Sequence, residues 1–253
     1  MQFQELERQR QINRYLSQEK FSERILAIQE CMNAQDKYIE LFYGFIGKHN
    51  LTQHSDAETP IISALIKNEI AIYSSLILTI DGLYGSGLVL LRSVYEALMI
   101  AKFSFLRQRD NLISKWIAGE TIYLSKTILK KILVPDITEL KALWENLCKP
   151  SHATIYSYQI TMKFEEIENE ISVNLAIISM LLCCNFHLIN KHYVTNSMID
   201  LVKRYHSQEG EFQSRRDSAK TATQSLTKFL SQSGRQVIKE YSRVWKLAPP
   251  VSS

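Results

Sequence analysis

The chain has 253 residues, 45% of them hydrophobic and 22% charged, enough to bury a large core in one or two domains. Glycine (8) and proline (5) are scarce, which argues against a sheet protein with its many tight turns and favours long helices. The net charge of +4 is mild and uneven: residues 200–253 hold ten Lys/Arg against five Asp/Glu (+5), and the remainder twenty against twenty-one (−1). Such an excess either attracts nucleic acid weakly or sits on solvated helix faces.

Taken in order, residues 3–17 read as a polar first helix. A longer helix over 21–48 carries Ile25, Ile28, Met32, Tyr38, Leu41, Phe42 and Phe45 near helical period. Residues 50–60 have no periodicity and end in Thr59-Pro60, an N-cap followed by proline at the first helical position. A helix from Pro60 to Asp81 follows. Gly82, Gly85 and Gly87 then make the sharpest break in the chain, and a helix over 87–107 comes next. A break this short makes the two helices antiparallel neighbours. Asp110 is placed to cap a helix over 111–133, which Pro135 stops. Residues 136–148 form a shorter helix with Leu140, Leu143, Trp144 and Leu147 on one side, and 149–159 a loop.

A long core helix spans 164–192. Its apolar part, 171–190, is about as long as a bilayer-crossing helix, yet it contains Asn174, Ser179, Asn185 and His187. A central helix of a soluble bundle is the better reading, with no membrane partner. A short helix over 196–206 and two more over 210–246, broken near Ser233-Gly234, complete the chain. No segment shows strand alternation. The expected fold is all-α: an antiparallel helical bundle over 1–195 with its core in 21–192, and basic C-terminal helices over 196–248 packed on it.

The most informative local feature is Arg92 and Glu96, four apart in the greasy stretch from Gly87 to Leu106. A helix lays i and i+4 side by side. With Leu88, Leu91, Val94, Tyr95, Leu98 and Met99 around them, the two charges are expected mostly buried and paired. They form either an internal clamp or the floor of a polar site. His152 lies in a short polar loop after the Trp144 helix. Brought against Arg92 and Glu96, it would complete a cluster able to cleave a phosphodiester. The histidine would serve as acid or base, the arginine would hold the phosphate, and the glutamate would orient one of them. Otherwise Arg92–Glu96 is a structural salt bridge and the His152 ring caps a helix end.

Other chemistries fit less well. No histidine has a glutamate three residues before it, as a di-iron bundle needs. Cys183, Cys184, His187 and His192 lack zinc-site spacing and read as buried packing. No phosphate-cradling Gly-rich loop and no nucleophile elbow is present, and no cofactor is implied. Cys31, Cys148, Cys183 and Cys184 form no C-x-x-C pair, and the first residues are charged and amphipathic. Free thiols in a reducing cytoplasm are therefore expected.

Three stretches occur in order: LLRSVYEALMIAKF (Leu90–Phe103), KWIAGE (Lys115–Glu120) and LWENLCKPSHAT (Leu143–Thr154). Together, over about residues 60–192, they resemble an uncharacterised branch of HEPN-like all-α proteins of bacteria and archaea. That branch shows an Arg-Ser-x-x-Glu helix after a Gly-bearing turn, a Trp/Tyr helix, and a Ser-x-x-x-His loop. Here Cys148 stands four before His152, with Ser151 adjacent to it. The resemblance implies a metal-independent ribonuclease-type effector of a toxin or anti-phage defence system. It also implies a dimer, RNA as substrate, and a protein partner encoded nearby. Arg92, Glu96 and His152 are the positions it singles out as catalytic. The HEPN motif of Arg, four to six residues, then His is absent: none of the six histidines has an arginine five to seven positions earlier. HEPN domains without that motif serve as binding partners or scaffolds. The second expectation is accordingly a non-catalytic dimerisation or interaction module.

Overall fold

The computed structural model describes residues 3–48, 59–107, 110–122, 124–129, 137–150, 167–195 and 209–243. Eight α-helices are found among them: α1 Phe3–Lys48, α2 Thr59–Ile80, α3 Tyr84–Leu106, α4 Asn111–Ile117, α5 Thr138–Cys148, α6 Ile167–Thr195, α7 Glu209–Leu226 and α8 Gln232–Ser242. A π-helical turn lies at Leu124–Ile128 and a 3₁₀ turn at Thr227–Phe229. The described residues contain no strand, so the all-α class holds. The proposed helix over 196–206, the loop over 151–159 and His152 lie outside the described residues.

Helix boundaries depart from expectation at four places. The polar stretch around Ser17–Lys20 does not interrupt the first helix, which runs unbroken for 46 residues. No glycine or proline is there to stop it, and Asn13 and Ser17 are buried against the bundle. α3 begins at Tyr84, so Gly85 and Gly87 lie inside it. Gly82 alone makes the turn, at φ +79°. Its N–H reaches Thr79 O (3.1 Å) and the Leu83 N–H reaches Leu78 O (2.7 Å), the paired bonds of a left-handed helix end. α4 stops at Ile117 with Gly119 at φ +79° rather than running to 133. The C-terminal break falls at Leu230–Ser231. Ser231 caps α8 through Gly234 N–H (3.2 Å), which places Gly234 within the helix. Asp110 caps α4 as expected, accepting from Leu112 N–H at 3.0 Å.

α6 is the axis of the bundle, packed by α1, α2, α3, α7 and α8. α2 and α3 form a tight hairpin. Gly87 lets their backbones close in, and Ser75 Oγ donates to Gly87 O at 3.0 Å. Fully buried Ile28, Leu65, Ile72, Leu76, Leu91, Leu175, Ile178 and Leu188 fill the interfaces. Each contributes on the order of 1.5–3 kcal/mol. Helix ends are fixed by polar contacts. Asp81 receives Arg10 Nη2 and Arg14 Nε, both at 2.7 Å. Burial opposes ionisation of Asp81, but the two guanidiniums outweigh it and hold the carboxyl below its ordinary range.

A buried polar chain ties four helices together. Asn68 Nδ2 donates to Asn185 Oδ1 (3.1 Å), and Asn185 Nδ2 to Gln35 Oε1 (3.1 Å). Gln35 Nε2 donates to Leu182 O (3.0 Å) and lies 3.3 Å from Thr223 Oγ1. Such a chain costs most when one member is removed, so it pins α1, α2, α6 and α7 in one register.

Two helices, 59–80 and 167–191, are long and apolar enough to cross a membrane by length and composition. The apolar window of the second is 78% buried within the protein, and that of the first 39%.

Candidate functional site

Arg92 and Glu96 lie side by side on α3, with Arg92 Nε donating to Glu96 Oε1 at 3.1 Å. Their side chains are 25% and 36% exposed, so the pair is largely covered but not sealed from solvent. The apolar neighbours of α3 cover Leu91, Val94, Tyr95 and Leu98, one face of the first turns. Val89, Ser93 and the flank bearing Arg92 and Glu96 remain toward solvent. Only after Ala101 is α3 enclosed on all sides.

The charge that α3 does bury is Lys102, on the same face as Leu91, Tyr95 and Leu98. Its ammonium donates to the carbonyls of Tyr241 and, at 2.9 Å, Arg243, and lies 4.8 Å from the Tyr241 ring centre. The C-terminal end of α8 offers it the acceptors and the negative end of the helix dipole. Burial still pushes its pKa down to about 8, with the Cys184 thiol acting in the opposite sense.

α5 builds the wall beside Arg92. The guanidinium carbon lies 5.1 Å from the Trp144 ring centre, a cation–π contact. Trp144 in turn stacks on Tyr95, with centroids 5.7 Å apart and planes 25° apart. Tyr95 Oη donates to Leu140 O at 2.8 Å, which fixes α5 on α3. Cys148, at the end of α5, lies in the field of the same pair. Burial raises its pKa first; Arg92 pulls it down, and Glu96 and Glu145 push it up.

The structure thus brings Arg92 and Glu96 together and adds Trp144 and Cys148 to them. His152, the third expected member, lies outside the described residues. Trp144 was legible as the marker of its helix. Its role as the surface under Arg92 depends on how α5 docks, which no local pattern reveals. Among the described residues no group of three or more His, Cys, Asp or Glu is arranged to hold a metal ion. The four cysteines are free thiols, three of them buried.

Comparison with known protein families, curated proteins and solved structures finds no match. The geometry above is therefore the ground on which any functional reading stands.

Proposed function

We propose that this chain is a HEPN-like, metal-independent ribonuclease-type effector that acts in the cytoplasm. In this reading Arg92 binds the scissile phosphate. His152 moves a proton as the ribose 2′-hydroxyl displaces the 5′-oxygen, and Glu96 orients one of the two. One observation carries the reading. The paired Arg92 and Glu96 stand at a solvent-reached edge, and Cys148, four residues before His152, lies in the field of both. For this reading to hold, His152 would have to reach the pair across those four residues, which span at most about 14 Å. A planar guanidinium held against an indole is also pre-oriented for bidentate contact with a phosphate.

The test is incubation of the purified chain with total RNA, beside His152→Ala. Cleavage is expected from the parent protein and not from the variant, with the two melting together. Full cleavage by a well-folded His152→Ala protein would eliminate the mechanism.

A second reading, an interaction module that pairs with a second copy of itself, is favoured by α2. Ile66, Ile70, Tyr73 and Ile77 stand 51%, 67%, 53% and 39% exposed. Their spacing of four, three and four residues lays them in one seam. The spacing reads the same in both directions. A two-fold axis at its centre sets each Ile66 on a symmetry-related Ile77 and each Ile70 on a symmetry-related Tyr73. Light scattering is expected to give twice the 29.3 kDa chain mass, falling to one chain in Ile70→Glu. A parent protein that stays at one chain mass at tens of micromolar would remove this reading. A partner protein encoded nearby is the other occupant that this face would suit.

A further inference from the structure

Residues of α6 and α7, with Thr227 and Ile238, line a pocket of about 350 Å³. It is distinct from the Arg92 edge and shares no lining residue with it. His187 from α6 and Arg216 and Lys220 from α7 supply its basic groups. Asn190 and Gln224 add amides, and Phe186 and Ile238 give apolar wall. None of the described lining residues is an aspartate or glutamate. Asp217, next to Arg216 in the chain, is not in the lining, and its two oxygens accept from Gln213 Nε2 at 3.0 Å.

The register is what a built site requires. Arg216 and Lys220 are four apart on one helix, so both cations enter from the same face. Phe186, His187 and Asn190 share the facing side of α6. Arg216 is held in place, with its Nε donating to Asn190 Oδ1 at 2.9 Å. The imidazole of His187 is partly buried rather than packed into the core as its sequence context implied. Burial first, then the positive charges of Lys102 and Lys191, hold its pKa below the ordinary histidine range. Arg216 and Lys220 in the pocket lining, and Lys102 and Lys191 acting on its histidine, make a positive field in a concave, half-apolar space. An anion of matching size is the ligand that would balance it.

We infer that this pocket binds a small organic phosphate of about mononucleotide size, with Arg216 and Lys220 on the phosphate and the Phe186–His187 side against the organic part. A guanidinium fork grips phosphate oxygens in pairs, and a neighbouring ammonium adds a point charge. The space matches the lower end of small-molecule sites, which run from about 300 to 1,000 Å³.

Calorimetric titration of the full chain tests this with four probes: adenosine 5′-monophosphate, ribose 5-phosphate, inorganic phosphate and adenosine. The monophosphate should bind most tightly, inorganic phosphate more weakly and adenosine not measurably. Lys220→Gln and Arg216→Gln should each weaken the monophosphate at least tenfold without moving the thermal midpoint. Arg235→Gln, an exposed charge on α8 outside the pocket, should leave binding unchanged. If Arg216→Gln disturbs the fold through Asn190, Lys220→Gln decides alone. The inference fails if no phosphate probe binds. It fails equally if adenosine binds as well as the monophosphate, if Lys220→Gln binds as the parent does, or if Arg235→Gln weakens binding as much as Lys220→Gln. RNA cleavage is not read in this experiment, so its outcome is separate from the role of Arg92.

Discussion

The buried carboxylate of Glu240 accepts the backbone N–H of Leu140 at 2.9 Å, so a side chain of α8 caps the start of α5. Ile137, in the N-cap position, provides no side-chain cap of its own. The negative charge also meets the positive end of the α5 dipole. Because α5 carries Trp144 and Cys148, this one contact reaches the wall beside Arg92. Glu240→Ala should lower stability by about 1–3 kcal/mol, the cost of an orphaned buried donor. Glu240→Gln, which keeps an acceptor, should lose less. Urea unfolding of both variants checks the order, and equal losses would show that the cap is not the cause.

Gly82→Ala should destabilise more than an ordinary surface change. Its φ of +79° costs a side-chain-bearing residue about 1–2 kcal/mol. An added Cβ would also stand 1.8 Å from Asn13 Nδ2. Asn13 would have to rotate and give up the bond it accepts from Tyr84 Oη at 3.1 Å. Adding Asn13→Ala should relieve the clash but not the backbone strain. The double variant is then less unstable than the two single losses summed, a coupling readable in a mutant cycle.

Glu69 sets a pH dependence. Burial first, then Asp36 and Glu40, pushes its pKa up to about 7. The folded protein therefore binds more protons than the unfolded chain between about pH 4.5 and 7. The stability this group contributes is complete below that window and is lost as pH rises through it. Because Glu69 is only partly buried, solvent screens the effect and the loss is on the order of 1 kcal/mol. Glu69→Gln should flatten the profile and be the more stable protein at pH 8. A Glu69→Gln protein weaker than the parent at pH 8 would contradict the assignment.

The exposure of Arg92 and Glu96 sets what their loss costs. A fully buried pair would forfeit about 3–5 kcal/mol on removal of one partner. This pair is part-solvated at i, i+4 spacing, so Glu96→Gln should cost under about 1 kcal/mol. Arg92→Lys keeps the charge but loses the planar contact with Trp144. If the proposed RNA cleavage is present, it should fall at least tenfold while the melting curve stays within about 1 kcal/mol of the parent. A thermal scan beside the cleavage assay separates the two effects.

Helical period made most of the fold legible. The α2–α3 hairpin, the Asp110 cap and the core stripe Ile28, Met32 and Tyr38 all follow from local pattern. Glycine misled where its role is packing: Gly87 and Gly234 sit inside helices because a neighbour comes close, and a one-dimensional reading takes them as breaks. Charge was legible only in part. Arg92, Glu96 and Lys102 all stand in one apolar run, but only tertiary packing decides which is enclosed, and that depends on carbonyls about 140 residues away. The pocket between α6 and α7 was invisible for the same reason, since His187 and Arg216 become neighbours only after folding.

The Lys102 ammonium has a consequence for how the chain is made. Its acceptors, the carbonyls of Tyr241 and Arg243, leave the ribosome long after α3 does. Until they arrive, docking the second half of α3 would strand a positive charge in an apolar interior, a cost of several kcal/mol. Tyr241 Oη on Leu98 O, and Glu240 on Leu140, wait on the same segment. Translation thus imposes a schedule on the centre of the molecule. α1, α2 and the outer turns of α3 can settle first, whereas the inner turns of α3 and the start of α5 stay open to chaperones and proteases until residues 240–243 emerge. A ribosome stalled near residue 230 should therefore hold a nascent chain cut readily around Lys102, and release of the full sequence should close that site.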